Sequence, residues 1–191
     1  MSIQLLEKVY HHPLMTANDI ASIIKEHKKV SFKKGTFILK EGQIANSYLI
    51  IETGLLRSFV HDFNGNDITT NFYGSQEIAI EVSSLFQRIP TKENIQTLTE
   101  CACWKIEFDI FQELFHSSEG FIEWGRSWMS NELFMLKQRS VTMLTKSATD
   151  RYLTLLQDKP QIIQQASLKS IASYLGITDT SLSRIRKDIF K

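Results

Sequence analysis

The spacing of apolar residues divides the chain into three zones. Residues 16–28 repeat apolar side chains with the period of a helix, forming one stripe. Across residues 30–107 the period changes to two, in short runs of β-branched and aromatic residues broken by glycine-containing turns. Within this zone Asn64 and Gly65 predict a two-residue hairpin turn, whose central positions both need positive φ. After Phe108 helical spacing returns, so the pattern predicts an antiparallel β barrel or sandwich followed by helices.

The longest helical pattern, residues 119–144, contains no proline and carries two apolar stripes. A helix on the surface of one domain needs only one buried stripe, so two stripes call for two partners. The β-rich zone can cover one stripe, and the same helix of a second subunit can cover the other. The alternative is that both faces pack within one chain. We expect a homodimer, joined through the apolar residues of this helix: Ile122, Met129, Leu133, Leu136 and Leu144 on one face, and Phe121, Trp124, Trp128 and Met135 on the other.

The segment "IASYLGITDTSLSRIRK", residues 171–187, has the spacing of a helix-turn-helix. The apolar residues of its first half lie on one helix face and end at Gly176, where a sharp turn makes a Cβ costly. Thr178 or Asp179 is placed to cap a second helix. Leu182 then returns the second helix to the core. The pattern predicts two short helices that pack closely across one corner.

The charge of this C-terminal segment differs from that of the whole chain. The formal net charge of the chain is +1, so any affinity for nucleic acid must come from a local patch. Residues 167–191 hold five Lys and Arg residues against two Asp residues, which is +3. Short hydroxyl side chains and long cations suit phosphate oxygens and guanine edges in a major groove. The alternative is a solvated helix with incidental basic residues. We predict that the DNA-binding residues are Ser167, Lys169, Thr178, Thr180, Ser181, Ser183, Arg184 and Lys187.

Two stretches, "FKKGTFILKEGQIANSYLIIETGLLR" and "IASYLGITDTSLSRIRK", with a long helix between them, resemble the Crp/Fnr family of bacterial transcription regulators. They look closest to short members common in Bacteroidetes. The resemblance implies an α+β fold: an N-terminal antiparallel β-roll (a double-stranded β-helix or jelly roll) over residues 1–118, a long dimerisation helix over 119–145, and a helical helix-turn-helix domain over 146–191. It also implies a homodimer on a two-fold operator, controlled by an effector in the β-roll. Because the chain stops at Lys191, we expect no β-hairpin wing after the second helix.

The effector site of cyclic-nucleotide-binding relatives is only partly matched here. In those relatives a Gly-Glu-Leu turn holds the ribose, and an Arg-Ser or Arg-Thr pair holds the cyclic phosphate. The resemblance puts Glu81 at the ribose-binding position, but Ile80 replaces the glycine, and Lys92 and Glu93 replace the Arg-Ser pair. Lysine lacks the bidentate fork of arginine, and a neighbouring Glu repels an anion. We therefore expect a pocket that is empty, apolar or tuned to a small-molecule effector other than cyclic AMP. The candidate contacts for such an effector are Glu81, Ser83, Ser84, Thr91 and Lys92.

Other classes of protein are disfavoured by what the sequence lacks. An iron–sulfur cluster needs about four cysteine ligands, and the chain has two, Cys101 and Cys103. No metal-ligand spacing, apolar run of about 18 residues or secretory signal is present. We therefore expect a cytoplasmic protein without a catalytic site, metal, cofactor or membrane partner. The sequence favours a DNA-binding regulator; the alternative is a ligand-binding β-roll module whose shortened C-terminus no longer binds DNA.

Overall fold

The computed structural model describes residues 2–189. Lys191, counted above among the basic residues and taken as the end of a wingless chain, lies outside them, as do Met1 and Phe190. Two helices come first, α1 (Ser2–Val9) and α2 (Ala17–Glu26). The β-rich zone then contains one helix, α3 (Val82–Gln87), and eight strands. The strands are β1 (Lys28–Phe32), β2 (Phe37–Leu39), β3 (Ser47–Thr53), β4 (Leu56–His61), β5 (Asp67–Tyr73), β6 (Ile78–Ala79), β7 (Asn94–Thr97) and β8 (Cys101–Glu107).

The chain continues as six helices within the described residues. These helices agree with the helical spacing of apolar residues after Phe108. That spacing did not predict α7, which begins at a proline. They are α4 (Phe108–Ser117), α5 (Glu119–Thr145), α6 (Ala148–Asp158), α7 (Pro160–Gln165), α8 (Leu168–Tyr174) and α9 (Asp179–Ile189).

The eight strands form two antiparallel four-stranded sheets, with strand orders β1-β8-β3-β6 and β2-β7-β4-β5. This arrangement confirms the predicted β-roll and the α+β fold class. Strand β3 buries residues on both of its alternating faces, because α1, α2 and α4 cover the outer side of its sheet. There the Tyr10 hydroxyl lies 2.6 Å from the Tyr48 hydroxyl and 2.9 Å from His27 Nε2, in a buried polar chain.

The hairpin predicted at Asn64 and Gly65 forms between β4 and β5, but its turn type was predicted wrongly. The loop runs from Asp62 to Asn66, and in it only Gly65 has a positive φ, of 78°. The Gly65 amide donates to the Asp62 carbonyl at 2.9 Å. The Asp62 carboxylate accepts from the amides of Asn64 and Asn66 at 2.8 Å each. This side chain stabilises a longer loop that a pattern of two residues does not reveal.

Helix α5 is anchored to the β-roll by its first three turns. Phe121 is fully buried, and the Trp124 indole donates to the Val9 carbonyl at 2.8 Å. Glycines make the close approach possible: a Cβ on Gly120 would collide with the Leu14 carbonyl, and one on Gly125 would lie 2.5 Å from the Phe115 ring. The helix therefore starts in the core of the β-roll region and runs towards the C-terminal helices.

The C-terminal helices build a second core, which also takes in Leu55 and Phe72 of the β-roll. Helix α8 lies against β5, where the Thr69 amide donates to Ser173 Oγ at 3.1 Å. The rings of Phe72 and Tyr174 meet edge to face, with centroids 5.2 Å apart. The helix-turn-helix is therefore docked on the β-roll and shares apolar contacts with it.

Candidate nucleic-acid interface and effector site

The corner between α8 and α9 has the geometry that the sequence predicts. Ser167 caps α8 by accepting a hydrogen bond from the Ser170 amide at 3.0 Å. After the helix, Gly176 has φ +66°, a conformation that favours glycine. The Ile177 amide donates back to the Ala172 carbonyl at 3.0 Å, which closes the helix end. The turn therefore directs the chain sharply into α9.

Helix α9 is oriented by one capping residue and one buried side chain. Thr178 Oγ1 accepts from the Ser181 amide at 3.2 Å, so Thr178 rather than Asp179 is the cap. Leu182 is fully buried in the second core, and Ile185 is half-buried one turn later. Because these residues hold one face of α9 against α8, the opposite face of the helix is directed to solvent.

Most of the predicted DNA-binding residues lie on the surface. Ser181 is half-buried, and the hydroxyls of Ser167 and Thr178 serve as helix caps. Arg186, which the sequence analysis counted only as charge, is also exposed on α9. The exposed members of the predicted set are Ser167, Lys169, Thr178, Thr180, Ser183, Arg184 and Lys187.

Two of the predicted effector-binding residues are engaged in the local structure of the β-roll. Glu81 caps α3, where its carboxylate accepts from the Ser84 amide. Ser84 is buried; its hydroxyl accepts from the Ala45 amide at 2.9 Å and donates to the Ile89 carbonyl at 2.6 Å. These hydrogen bonds connect α3 to neighbouring loops. The side chains of Glu81 and Ser84 therefore stabilise the fold of the β-roll.

The other three predicted effector residues are spread along the surface and one loop. Thr91 is buried, and its backbone bonds to Gly42 and Gln43 at 2.8 Å each. Ser83 and Lys92 are exposed. A cavity of about 530 Å³ opens at one end of the roll, and of the five residues Glu81 alone lines it. Its other walls are mainly apolar, with Ile38, Leu39, Leu49, Ala79, Ile80 and Ile95 among them.

The carboxyl group of Glu93 is half-buried and lies close enough to Glu81 for their charges to interact. Burial raises the pKa of Glu93, and a hydrogen bond from Thr70 partly opposes this shift. The nearby negative charge of Glu81 raises the Glu93 pKa further, whereas the positive charge of Arg139 lowers it. The charged form of Glu93 is therefore disfavoured at this position.

Comparison with known proteins supports this architecture. Residues 29–118 match the family model of the cyclic nucleotide-binding domain. The structure of CLP from Xanthomonas campestris, a cyclic-di-GMP-responsive global regulator, is similar with a TM-score of 0.70 at 17% identity, covering 91% of each chain. FixK2 from Bradyrhizobium japonicum gives a TM-score of 0.72 at 17% identity, covering 86% of this chain and 84% of its own.

A third similar structure is a transcriptional regulator of the Crp/Fnr family from Eubacterium rectale. It gives a TM-score of 0.72 at 18% identity and covers 93% of this chain and 86% of its own. The chain has the fold of the Crp/Fnr transcription regulators. The resemblance seen in the sequence is thus confirmed for the fold. No curated protein sequence matches this chain.

Between residues 2 and 189 no three His, Cys, Asp or Glu side chains cluster closely enough to hold a metal ion. Within the same residues, none of the helices has the length and apolar character needed to cross a membrane.

Proposed function

We propose that the protein is a dimeric, non-enzymatic transcription regulator that acts on DNA in the cytoplasm. The observation that carries the proposal is the exposed basic and hydroxyl-rich face of α9. This face lies opposite the buried Leu182 and follows the sharp turn at Gly176. A helix presented in this way fits a major groove, with its exposed side chains towards the bases and phosphates.

Within this interface Arg184 is proposed to read a base and two lysines to bind phosphates. Arg184 is exposed in the middle of α9, and its guanidinium can donate to O6 and N7 of one guanine. Lys187 lies about one turn further along the helix, and Lys169 lies at the start of α8. Both are exposed point charges, which suit phosphate oxygens. The proposed roles predict different effects on sequence preference and on affinity.

The proposed dimer is supported by the second half of α5. Leu133, Leu136 and Leu144 are 68, 64 and 86% exposed, an unusual state for large apolar side chains on one helix. Together with Ile122 and Met129 they form one stripe by helical spacing. The same stripe from a second subunit would cover it, and the two recognition helices would then face two operator half-sites.

The proposed effector is a small molecule other than cyclic AMP. The mainly apolar walls of the cavity beside Glu81, and the Lys92-Glu93 pair that stands in place of an Arg-Ser pair, support this choice. Isothermal calorimetry with cyclic AMP is expected to show no binding at submillimolar concentration. Submillimolar affinity that is lost in Glu81→Gln would instead place a cyclic-nucleotide site at this position.

The decisive experiment is selection of binding sites from random DNA by the wild type and three variants. Arg184→Ala is expected to relax preference at one base pair per half-site, worth about 1–3 kcal/mol of discrimination. Lys187→Ala and Lys169→Ala are expected to weaken binding to all sequences alike. Each should also reduce the salt dependence, because each variant releases about one counterion fewer per subunit.

Lys34→Ala, at an exposed position on the β-roll, is the matched control and should leave DNA binding unchanged. An unchanged motif and affinity in Arg184→Ala would refute the assignment of α9. Absence of salt-dependent binding in the wild type would instead favour a ligand-binding module that does not act on DNA.

A further inference from the structure

Helix α8 faces β5 with a row of three serines. Ser167, Ser170 and Ser173 recur every three residues, so they lie along one side of the helix. Ser167 is exposed, Ser170 is 5% exposed and Ser173 is half-buried. Because serine side chains are short, the backbone of α8 can approach the strand closely. The row therefore runs from the exposed start of α8 into its contact with the β-roll.

The last serine of the row supplies a hydrogen-bond acceptor to an edge strand. β5 lies at one edge of the sheet β2-β7-β4-β5, and an edge strand leaves alternate amides without a partner in a neighbouring strand. Thr69 of β5 is 1% exposed, and its amide donates to Ser173 Oγ at 3.1 Å. A buried amide without an acceptor costs free energy. Ser173 therefore fixes α8 at one position along β5.

The middle serine is bonded to an arginine of the roll. Arg57 Nη1 donates to Ser170 Oγ at 3.3 Å, and its Nη2 donates to Asp67 at 2.6 Å. The guanidinium also lies over the Phe59 ring, 4.0 Å from its centroid. Ser170 Oγ in turn lies 2.8 Å from Ser167 Oγ, the cap of α8. These contacts join the sheet to the exposed end of α8.

A bulge in β5 provides a second attachment, at the other end of α8. The register between β4 and β5 passes over Thr70, which is therefore an extra residue of β5. The Thr70 carbonyl accepts from Arg139 of α5, and Arg139 also donates to the Tyr174 carbonyl of α8 at 3.1 Å. Helix α8 is thus held on β5 near both of its ends, and the same strand is bonded to α5.

These attachments relate the recognition helix to the proposed contact between subunits. Leu133 and Leu136 of that contact belong to α5, whereas α9 follows only after α6, α7 and α8. Because α8 is held on β5 and β5 is bonded to α5, the roll helps to fix the distance between the two recognition helices of a dimer. A dimer reads two half-sites whose spacing matches that distance.

We propose that Ser170 and Ser173 are positioning residues that determine which half-site spacing the dimer binds. Ser173 holds α8 on the Thr69 amide, and Ser170 holds it on Arg57. Both side chains face the roll, so they act on DNA only through the position of α9. The inference rests on the proposed dimeric, DNA-binding function and adds the residues that give it spacing specificity.

The test uses the full chain and DNA with two copies of the half-site that the wild type selects, separated by spacers of every length over one helical turn. The wild type should prefer one spacing. With both Ser170→Ala and Ser173→Ala, α8 loses two polar attachments but keeps the contact between Phe72 and Tyr174. Preference for the best spacing over the next should then fall about tenfold. Base preference within each half-site should stay the same, whereas a merely less stable protein would bind all spacings equally less.

The matched control is Ser31→Ala, at an exposed position in β1 of the other sheet, which should keep the wild-type spacing preference. If the double variant does not fold, Ser170→Ala alone decides, because it leaves the Thr69 amide paired; the expected fall is about threefold. Unchanged spacing preference in the folded variant, or altered base preference within the half-sites, would overturn the positioning role. Equal binding of all spacings by the wild type would also overturn it. A wild type that binds no DNA would refute the proposed function itself.

Discussion

The two halves of α5 carry similar numbers of large apolar residues but have different surroundings. In the first half, Phe121 and Trp124 are buried among the rings of the first core, which include Tyr10 and Phe111. In the second half, Leu133 and Leu136 are mostly exposed. The difference shows that apolar content alone does not tell which partner a helix face meets. The first half is part of the domain core, whereas the second half is the proposed contact between two copies.

The second half is not wholly without contacts to its own chain. Arg139 donates to the carbonyls of Thr70 in β5 and Tyr174 in α8, the latter at 3.1 Å, and stacks over the Tyr174 ring. This one side chain joins the long helix, the β-roll and the helix-turn-helix. Four changes, taken from the largest expected effect to the smallest, would separate these roles.

Phe121→Ala should produce the largest loss, because it empties a fully buried site where four aromatic rings meet. We expect the free energy of unfolding, measured with urea, to fall by about 3–5 kcal/mol. Phe134→Ala in the same helix is the matched control, since Phe134 is 57% exposed, and should cost far less. Similar losses for both variants would remove the contrast between the two halves.

Replacing both Leu133 and Leu136 with Glu should dissociate the proposed dimer into monomers. A charge buried at an interface without a partner costs roughly 3–5 kcal/mol, which raises the dimer Kd by about a hundredfold or more. Sedimentation at micromolar concentration should show a dimer for the wild type and a monomer for the double variant. Met135→Glu is the control, because helical spacing puts Met135 on the other side of the helix. A wild-type monomer, or a dimer that survives the double change, would contradict the proposed interface.

Arg139→Gln should loosen the contact between α5, β5 and α8. It leaves the Thr70 and Tyr174 carbonyls without their charged donor, at an expected cost of about 1–3 kcal/mol. Faster hydrogen exchange of the α8 amides, with the strands of the other sheet (β1, β8, β3 and β6) unaffected, would report the loosening. Lys137→Gln, at an exposed position on the same turn, should leave exchange unchanged. Equal exchange in the two variants would show that Arg139 does not join these elements.

Acidification should have the smallest effect, through His27 in the anchored core. Burial lowers the pKa of His27, and its hydrogen bond to the Ile23 carbonyl only partly opposes the shift. The unfolded chain therefore takes up a proton near pH 6.5, whereas the folded protein does so only at lower pH. This contribution to stability is present above pH 6.5 and declines as the pH falls below it, by at most about 1.4 kcal/mol per pH unit.

The test compares urea unfolding between pH 8 and 5.5 for the wild type and His27→Gln. The wild type should lose more stability on acidification than the variant does, because other titrating groups contribute equally to both. Parallel pH profiles would show that the proton on His27 does not affect folding.

The amino-acid sequence by itself was enough to predict the elements whose contacts are local. The turn at Gly176 and the core position of Leu182 follow from residues only a few positions apart, and the structure has both. The alternation of strands predicted the β-roll, and the glycine at 65 predicted a hairpin, although the Asp62 side chain changed the turn. The exposed face of α9 could be predicted in the same way, because the helical repeat puts it opposite the buried face.

Only the tertiary structure decided which polar groups remain available and which apolar faces are covered. Ser84 and Thr91 were candidate ligand contacts, but both are buried, and the Ser84 hydroxyl bonds to loops far away in the sequence. Arg57 of β4 likewise lies beside Gln96 of β7, because the two strands pair in one sheet. Such contacts join residues separated by tens of positions, so the local spacing of apolar residues does not reveal them. Periodicity predicts the faces of an element, whereas the partner of each face depends on how the whole chain packs.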